Sequence, residues 1–365
     1  MLSILSFAPS MHELHDPPDF GSCVSPGKCT PPDTKYSKVI AGPQPGQQWN
    51  INGGFCGAFS MQHAALAFGA WISQDLVRKA NKDSAGPHNM HGDSTLGYEV
   101  VPVNVADTAT GLKLAFDEWD YTSAKPQAAA FKVWLKSHLV KGEPIVWFPI
   151  CKGDEPFCPY KDACPNGGVI NHVEPMWGIF SNHPLDDTTV YEDDWILHAS
   201  DQDQLPYYRP MSTLEDSPLM EGNCKDAQPG FGRNEMYPCF DKSVTYGLAV
   251  KGLAVEGGLL PVSLSTKGAS SEPNTRNGEK PTMLSGAVTV SGLTAGKAYT
   301  LYRFNSTANL PSGPPFETAA WESKKAFDAS GSTWSYEDPR SFSSASATYY
   351  IAVEATSAAA TVEAA

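Results

Sequence analysis

The strongest constraint on how this chain folds is a change of period near Pro144. Upstream, across residues 55–71, Phe55, Phe59, Ala64, Leu66, Ala67 and Ala70 sit among small residues with no proline, the pattern of a buried helix. A shorter helix is expected over 73–81, and two more near 112–119 and 127–140. Downstream, residues 144–150 (PIVWFPI), 169–180, 188–200 and 244–253 are short runs rich in β-branched and aromatic side chains and bounded by turns, which marks strands. Helices first and antiparallel strands afterwards make an α+β order. Beyond Gly257-Gly258 the composition moves to Ser, Thr, Ala and Gly, cysteine disappears, and short alternating runs recur at 287–293, 298–304 and 347–353. Three parts follow: an irregular N-terminal arm over 1–44, rich in Pro, Gly and Asp; an α+β domain over 45–256; and a separate all-β sandwich over 257–365.

Charge and cysteine usage narrow the function classes. The 365 residues carry a net charge of −14, and an acidic surface of that size repels phosphate backbones and anionic bilayers, so no nucleic-acid partner is expected. No run approaches the roughly 18 apolar residues of a membrane helix, which argues against membrane insertion. Residues 1–8 (MLSILSFA) are apolar without a basic leading segment, the remnant of a signal peptide or an N-terminal strand. The eight cysteines lie in the first two thirds of the chain, mostly among Pro and Gly, as in the disulfide loops of secreted, extracellular or vesicular and lysosomal proteins. Cys23 with Cys29 and Cys224 with Cys239 make plausible local pairs, and two of Cys151, Cys158 and Cys164 make a third, with Cys158 and Cys164 the candidates for it. Cys56 is then outside the bridges, and one thiol near residues 151–164 is left over. Asn305-Ser306-Thr307 is a glycosylation sequon that fits the secretory route.

The chemistry concentrates in residues 47–60 (QQWNINGGFCGAFS). A cysteine where a glycine-rich loop enters a helix has its sulfur near unpaired N–H groups and the positive end of the dipole, which favours the thiolate nucleophile. Gly53, Gly54 and Gly57 are read as letting backbone approach a substrate closely. A thiolate needs a base, and the base needs a residue that fixes its tautomer. His63 lies seven positions along the same helix, about 10.5 Å of rise away, too far to serve and therefore read as a helix-face residue. His172, in a strand-like run that follows a buried strand and a long loop, is the better base, with Asp201 at the end of the next strand to orient it. His198 is a rival, but it shares a strand with that acid and is badly placed to face it. The loop carrying Cys158 and Cys164 should overhang the cleft; its C-x5-C spacing is poor for zinc. The pairs His12/His15 and His88/His91 and the acidic groups at 186–187, 192–194 and 201–203 are read as solvated surface rather than metal sites, so no metal and no cofactor are expected. Trp49, Phe55, Trp147, Phe148 and Trp177 are read as core.

The order of these pieces resembles the papain-like cysteine peptidases, most closely their bacteriocin-leader-peptidase-like branch: Cys56-Gly-Ala-Phe-Ser at a helix start, a strand at 142–147 (GEPIVW), His172 in NHVEPMWGIF, and then DDWILHASD. The resemblance covers residues 45–255 in order of elements and about twenty residues in letters. It implies a helix carrying the cysteine packed on an antiparallel sheet, Cys56 as nucleophile, His172 as general acid/base and Asp201 as the orienting residue, acting on a peptide or protein substrate through an acyl-enzyme. The family supplies an oxyanion-hole Gln about six residues before the cysteine; here Asn50 has that spacing and Gln48 the matching chemistry, and both stand as candidates. An acyl transferase of the same fold, transglutaminase- or transpeptidase-like, is one alternative. An inactive papain-like binding protein of the cell surface or matrix is another, favoured by the missing Gln at the standard spacing. Residues 290–302 (VSGLTAGKAYTLY) resemble the turn-and-strand signature of fibronectin type III-like sandwiches, which implies a β-sandwich and no activity.

Overall fold

The computed structural model describes residues 30–44, 46, 48–49, 54–80, 99–100, 104–120, 127–152, 169–199, 206–214, 246–267, 284–342 and 346–355. In chain order the elements are β1 (Tyr36–Val39), α1 (Cys56–Leu66), β2 (Ala70–Ile72), α2 (Gln74–Ala80), α3 (Val105–Gly111), β3 (Leu114–Glu118), α4 (Ala128–Lys141), β4 (Ile145–Trp147), β5 (Ile150–Lys152), β6 (Val169–Asn171), β7 (Glu174–Ser181), β8 (Trp195–Ala199), β9 (Pro206–Pro210) and β10 (Gly247–Leu253). The C-terminal strands are β11 (Val262–Lys267), β12 (Leu284–Ser291), β13 (Ala298–Phe304), β14 (Ser323–Asp328), β15 (Thr333–Phe342) and β16 (Ala347–Glu354). Helices and antiparallel sheets combine in one chain, an α+β arrangement.

The main sheet runs β3-β10-β4-β7-β8-β9, with β1 on β7 as well. β4 pairs with the first half of β7 and β1 with its second half, so a strand from the N-terminal arm extends the sheet beside β4. Alternation along β4 shows how the sheet divides the core. Val146 belongs to the apolar cluster that holds Cys56, Ala58 and Met61 of α1, whereas Ile145 and Trp147 belong to the cluster with Phe131, Leu135 and Leu139 of α4. The two helices therefore cover opposite faces, and α1, with all eleven residues buried, is the helix at the centre of the molecule.

α1 is buried all round because a second layer closes over it. Gly69, at φ +70°, breaks the helix after Leu66, and β2 follows, pairing with β16 through Ala70↔Tyr349, Trp71↔Thr348 and Ile72↔Ala347. β2 thus completes the four-stranded sheet β14-β13-β16-β2, which shares an apolar cluster with the three-stranded sheet β11-β12-β15. That cluster is continuous with the one containing Cys56. Tyr349 donates its buried hydroxyl to Leu112 O at 3.1 Å, a further tie between β16 and the segment after α3.

Several elements differ from the sequence expectation. The helix expected over 55–71 stops at Leu66, because residues 70–72 find a strand partner in β16. Where a helix is expected over 112–119, the chain forms the strand β3 (Leu114–Glu118): the alternation Leu-Ala-Phe-Asp-Glu lies along β10, with Leu114↔Leu253 and Phe116↔Val250 in register. The helix of this region is α3, immediately upstream. The strand expected across 169–180 divides into β6 and β7 at His172-Val173.

Candidate functional site

The loop before α1 and the first turn of that helix are held by a connected set of buried polar groups. Gln48, 5% exposed, accepts the Phe55 N–H on its Oε1 at 3.2 Å. Trp49 N–H donates to Gln74 Oε1 at 2.9 Å, Gln74 Nε2 to Gln62 Oε1 at 3.2 Å, and Gln62 Nε2 to Ile72 O at 3.0 Å. This chain of carboxamides joins the pre-helix segment to α2, α1 and β2. Arg78 of α2, buried, donates from Nη1 to Gly54 O at 2.8 Å and lies over the Phe55 ring, 4.4 Å from its centroid. Cys56 is a buried free thiol at the first position of α1, with no acidic residue in that first turn to oppose a thiolate.

The glycines here are packing positions. A Cβ on Gly54 would fall inside the Glu99 carboxylate, and one on Gly57 would sit 2.6 Å from Val100 O. The room that the sequence reading assigned to a substrate beside Gly54 and Gly57 is filled by residues 99–100; Gly53 lies outside the described residues. Gly54 also needs its left-handed φ of +66°. Burial pushes the Glu99 carboxyl up to about 7, against the pull of the Arg78 guanidinium.

His172 is buried at the break between β6 and β7, and its backbone N–H donates to Pro149 O at 3.1 Å. Its neighbour Val173 belongs to the apolar cluster of Cys56, Phe55, Val146 and Phe148, so the chain at His172 borders the α1 side of the sheet. Asp201, Asn50, Cys23, Cys29, Cys158, Cys164, Cys224 and Cys239 lie outside the described residues, as does the side chain of Cys151 in β5. Of the two oxyanion candidates, Gln48 is the one described, and its carboxamide reaches the residue before Cys56. Asn305 is exposed after β13, accepting from Asn309 Nδ2 at 2.8 Å.

Other described histidines have local partners, whereas His12, His15, His88 and His91 lie outside the described residues. His63 packs its ring, tilted by 43°, against Phe59 at 4.0 Å between centroids, places Nδ1 3.0 Å from Phe59 O, and is driven down to about 4 by burial, a neutral ring that packs the loop at Gly46. His198 is paired through Nδ1 with Glu174 Oε2 at 2.5 Å, both side chains 1% exposed. His198 stands opposite Met176, and Glu174 opposite Trp147, so this pair lies on the α4 face of the sheet, away from Cys56. The pairing is not legible from sequence spacing, since its partners sit on different strands; a lone carboxylate, Glu174, in an apolar strand run is the one signal of it. Sequence reasoning also missed Arg78 and Glu99, whose only mark is a charged residue inside a short helix and another just before α3.

Asp187 and Asp193, read from sequence as solvated, accept from local protein donors. Tyr191 OH and the Thr189 N–H hold Asp187 down to about 2. The Asn182 carboxamide bonds Asp193 at 2.8 Å. Asp194 is not solvated: it is fully buried and ion-paired with Lys136 of α4 at 2.9 Å. Among the described residues no group of three or more His, Cys, Asp or Glu is clustered as a metal site, and no helix is long and apolar enough to cross a membrane. No family model matches the chain, and no curated protein or solved structure matches it.

Proposed function

We propose that the protein is a secreted thiol hydrolase of the papain-like cysteine-peptidase type, with Cys56 as nucleophile, His172 as general acid/base and Asp201 orienting the imidazole. The observation that carries this reading is a free thiol at the first position of a wholly buried helix, with a buried Gln side chain bonded to the backbone one residue before it. The helix packs on β4, β7 and β10, and His172 lies in the two-residue break between β6 and β7. Cys56 attacks an amide carbonyl, the imidazole takes the thiol proton and returns it to the leaving amine, and water cleaves the acyl-enzyme. Gln48 is the side-chain donor to the oxyanion: its Oε1 is engaged by Phe55 N–H, which leaves the Nε2 donors of the same carboxamide for the reacting oxygen beside the Cys56 N–H.

The test is selective alkylation at mild pH with iodoacetamide and with an epoxide cysteine-peptidase probe, on the wild type, Cys56→Ala and His172→Ala. The expected result is an adduct mapped to Cys56 with both reagents, absent in the first variant and slowed in the second, whatever the thiol left over near residues 151–164 does. A Cys56 that resists both reagents until the protein is denatured overturns the reading. Peptide turnover that appears only when an excess of amine is supplied identifies the acyl-transfer alternative.

A further inference from the structure

We propose that Arg78 and Glu99 are positioning residues for the Cys56 thiol: together they hold the Gly54–Phe55 peptide, whose orientation sets the direction of the Cys56 N–H and sulfur. The inference rests on the thiol-hydrolase reading and names the groups that keep its nucleophile aligned. The peptide is gripped on both edges. Its carbonyl accepts from Arg78 Nη1 at 2.8 Å, and its N–H donates to Gln48 Oε1 at 3.2 Å. The same guanidinium lies over the Phe55 ring, so it holds both the backbone and the side chain of the residues preceding the nucleophile.

Glu99 completes the brace. Its carboxyl fills the space beside the Gly54 Cα, and its own backbone carbonyl accepts from Asn104 Nδ2 at 2.7 Å, which ties it to the start of α3. Three separate pieces of chain therefore converge on one peptide unit: α2 through Arg78, the segment before α3 through Glu99, and residue 48 through its carboxamide. Arg78 is 1% exposed and Glu99 4%. Burying two opposite charges is no better for stability than an apolar pair of equal volume, so what they add is directional. Direction matters next to a nucleophile, where a displacement of about 1 Å costs about 100-fold in rate. The charged group that acts on Glu99 is Arg78, and Cys56 follows two residues after Gly54.

The experiment compares wild type, Arg78→Gln, Arg78→Lys and Glu99→Gln. It reads the rate of Cys56 alkylation by iodoacetamide as a function of pH, the acylation burst with an activated aryl ester, and thermal melting. In R78Q the acylation rate should fall about 10- to 100-fold with little change in KM, and R78K should recover part of it. In E99Q the pH profile of alkylation should lose an inflection near the value of about 7 assigned to Glu99. Where R78Q does not fold, R78K and E99Q carry the test. Wild-type rates and an unaltered pH profile in folded variants overturn the inference, and so does a loss of rate that merely tracks melting temperature with the profile unmoved. A native wild-type Cys56 that does not react with iodoacetamide overturns the hydrolase reading and this inference with it, whereas a reactive Cys56 with indifferent variants overturns the inference alone.

Discussion

Gln48 has one observed contact and one proposed role, and one substitution pair can pull them apart. Its Oε1 accepts the Phe55 N–H at 3.2 Å inside the protein, and its Nε2 is the donor assigned to the oxyanion. Glu at this position keeps the acceptor and removes the donor; Ala removes both. A buried hydrogen bond of this kind contributes about 0.5–1.5 kcal/mol, so Gln48→Ala should lower unfolding free energy by about 1 kcal/mol or somewhat more. Gln48→Glu keeps that bond but buries a carboxylate at a site 5% exposed, a desolvation cost larger than the about 0.3–1 kcal/mol gained beside a helix N-terminus, so its stability should fall as rising pH ionises the new carboxyl. Loss of an oxyanion donor costs about 100- to 1000-fold, and both variants should show that loss in the acylation burst with an activated ester. Urea unfolding measures the first quantity and rapid-mixing kinetics the second. A Q48E variant that acylates at the wild-type rate refutes the donor role, and a Q48A variant as stable as the wild type refutes the bond to Phe55.

Asp194→Ala strands the buried Lys136 ammonium with Thr189 O as its remaining hydrogen-bond partner, and should cost about 3–5 kcal/mol in urea unfolding, while the double change Lys136→Met with Asp194→Leu should recover most of it. Equal losses in the single and double variants would show that the pair is not coupled. His63 is held below its ordinary value of 6.5, at about 4, so its stabilising contribution is complete above pH 6.5 and is lost as pH falls through 4. Glu99, raised from 4.5 to about 7, contributes below pH 4.5 and loses that contribution as pH rises through 7. At about 1.4 kcal/mol per unit each amounts to about 3 kcal/mol, and in the wild type they oppose one another between pH 4.5 and 6.5. His63→Gln should therefore unmask a stability that falls with rising pH in that window; an unchanged pH slope counts against the buried neutral ring. Gly54→Ala forces a side chain into a left-handed φ and into the Glu99 carboxylate, and should reduce Cys56 alkylation at least about 10-fold; partial recovery in Gly54→Ala with Glu99→Ala would separate the clash from the backbone strain, and an unimpaired single variant would contradict both.

How much of this was legible in the residues depends on the range of the interaction responsible. α2 and α4 were readable because apolar spacing and local propensity decide them, and β4 and β10 because short β-branched and aromatic runs bounded by turns have few other uses. Residues 114–118 were misread because five residues of alternating character can serve either period, and only the register with β10 settles which. β2 was invisible for the same reason: Ala-Trp-Ile becomes a strand when Tyr349 and Ala347 lie beside it, more than 270 residues later. At the site, the cysteine at a glycine-rich helix start and a nearby Gln could be named from sequence alone. Their brace could not be, because Arg78 and Glu99 meet Gly54 only through tertiary packing.

The sequence by itself determined the α+β order, the net charge of −14, and the position of a free thiol where a loop enters a helix. All three depend on composition or on neighbours within a few residues, where propensity, charge and the helix dipole act. Tertiary structure alone decided that the helix bearing Cys56 is closed on one side by the main sheet and on the other by a sheet that borrows β2, and that a buried Arg and Glu pack against the Gly54–Phe55 peptide before Cys56. Those outcomes rest on hydrogen-bond register and on the burial of charges against one another. Both arise only when distant segments meet.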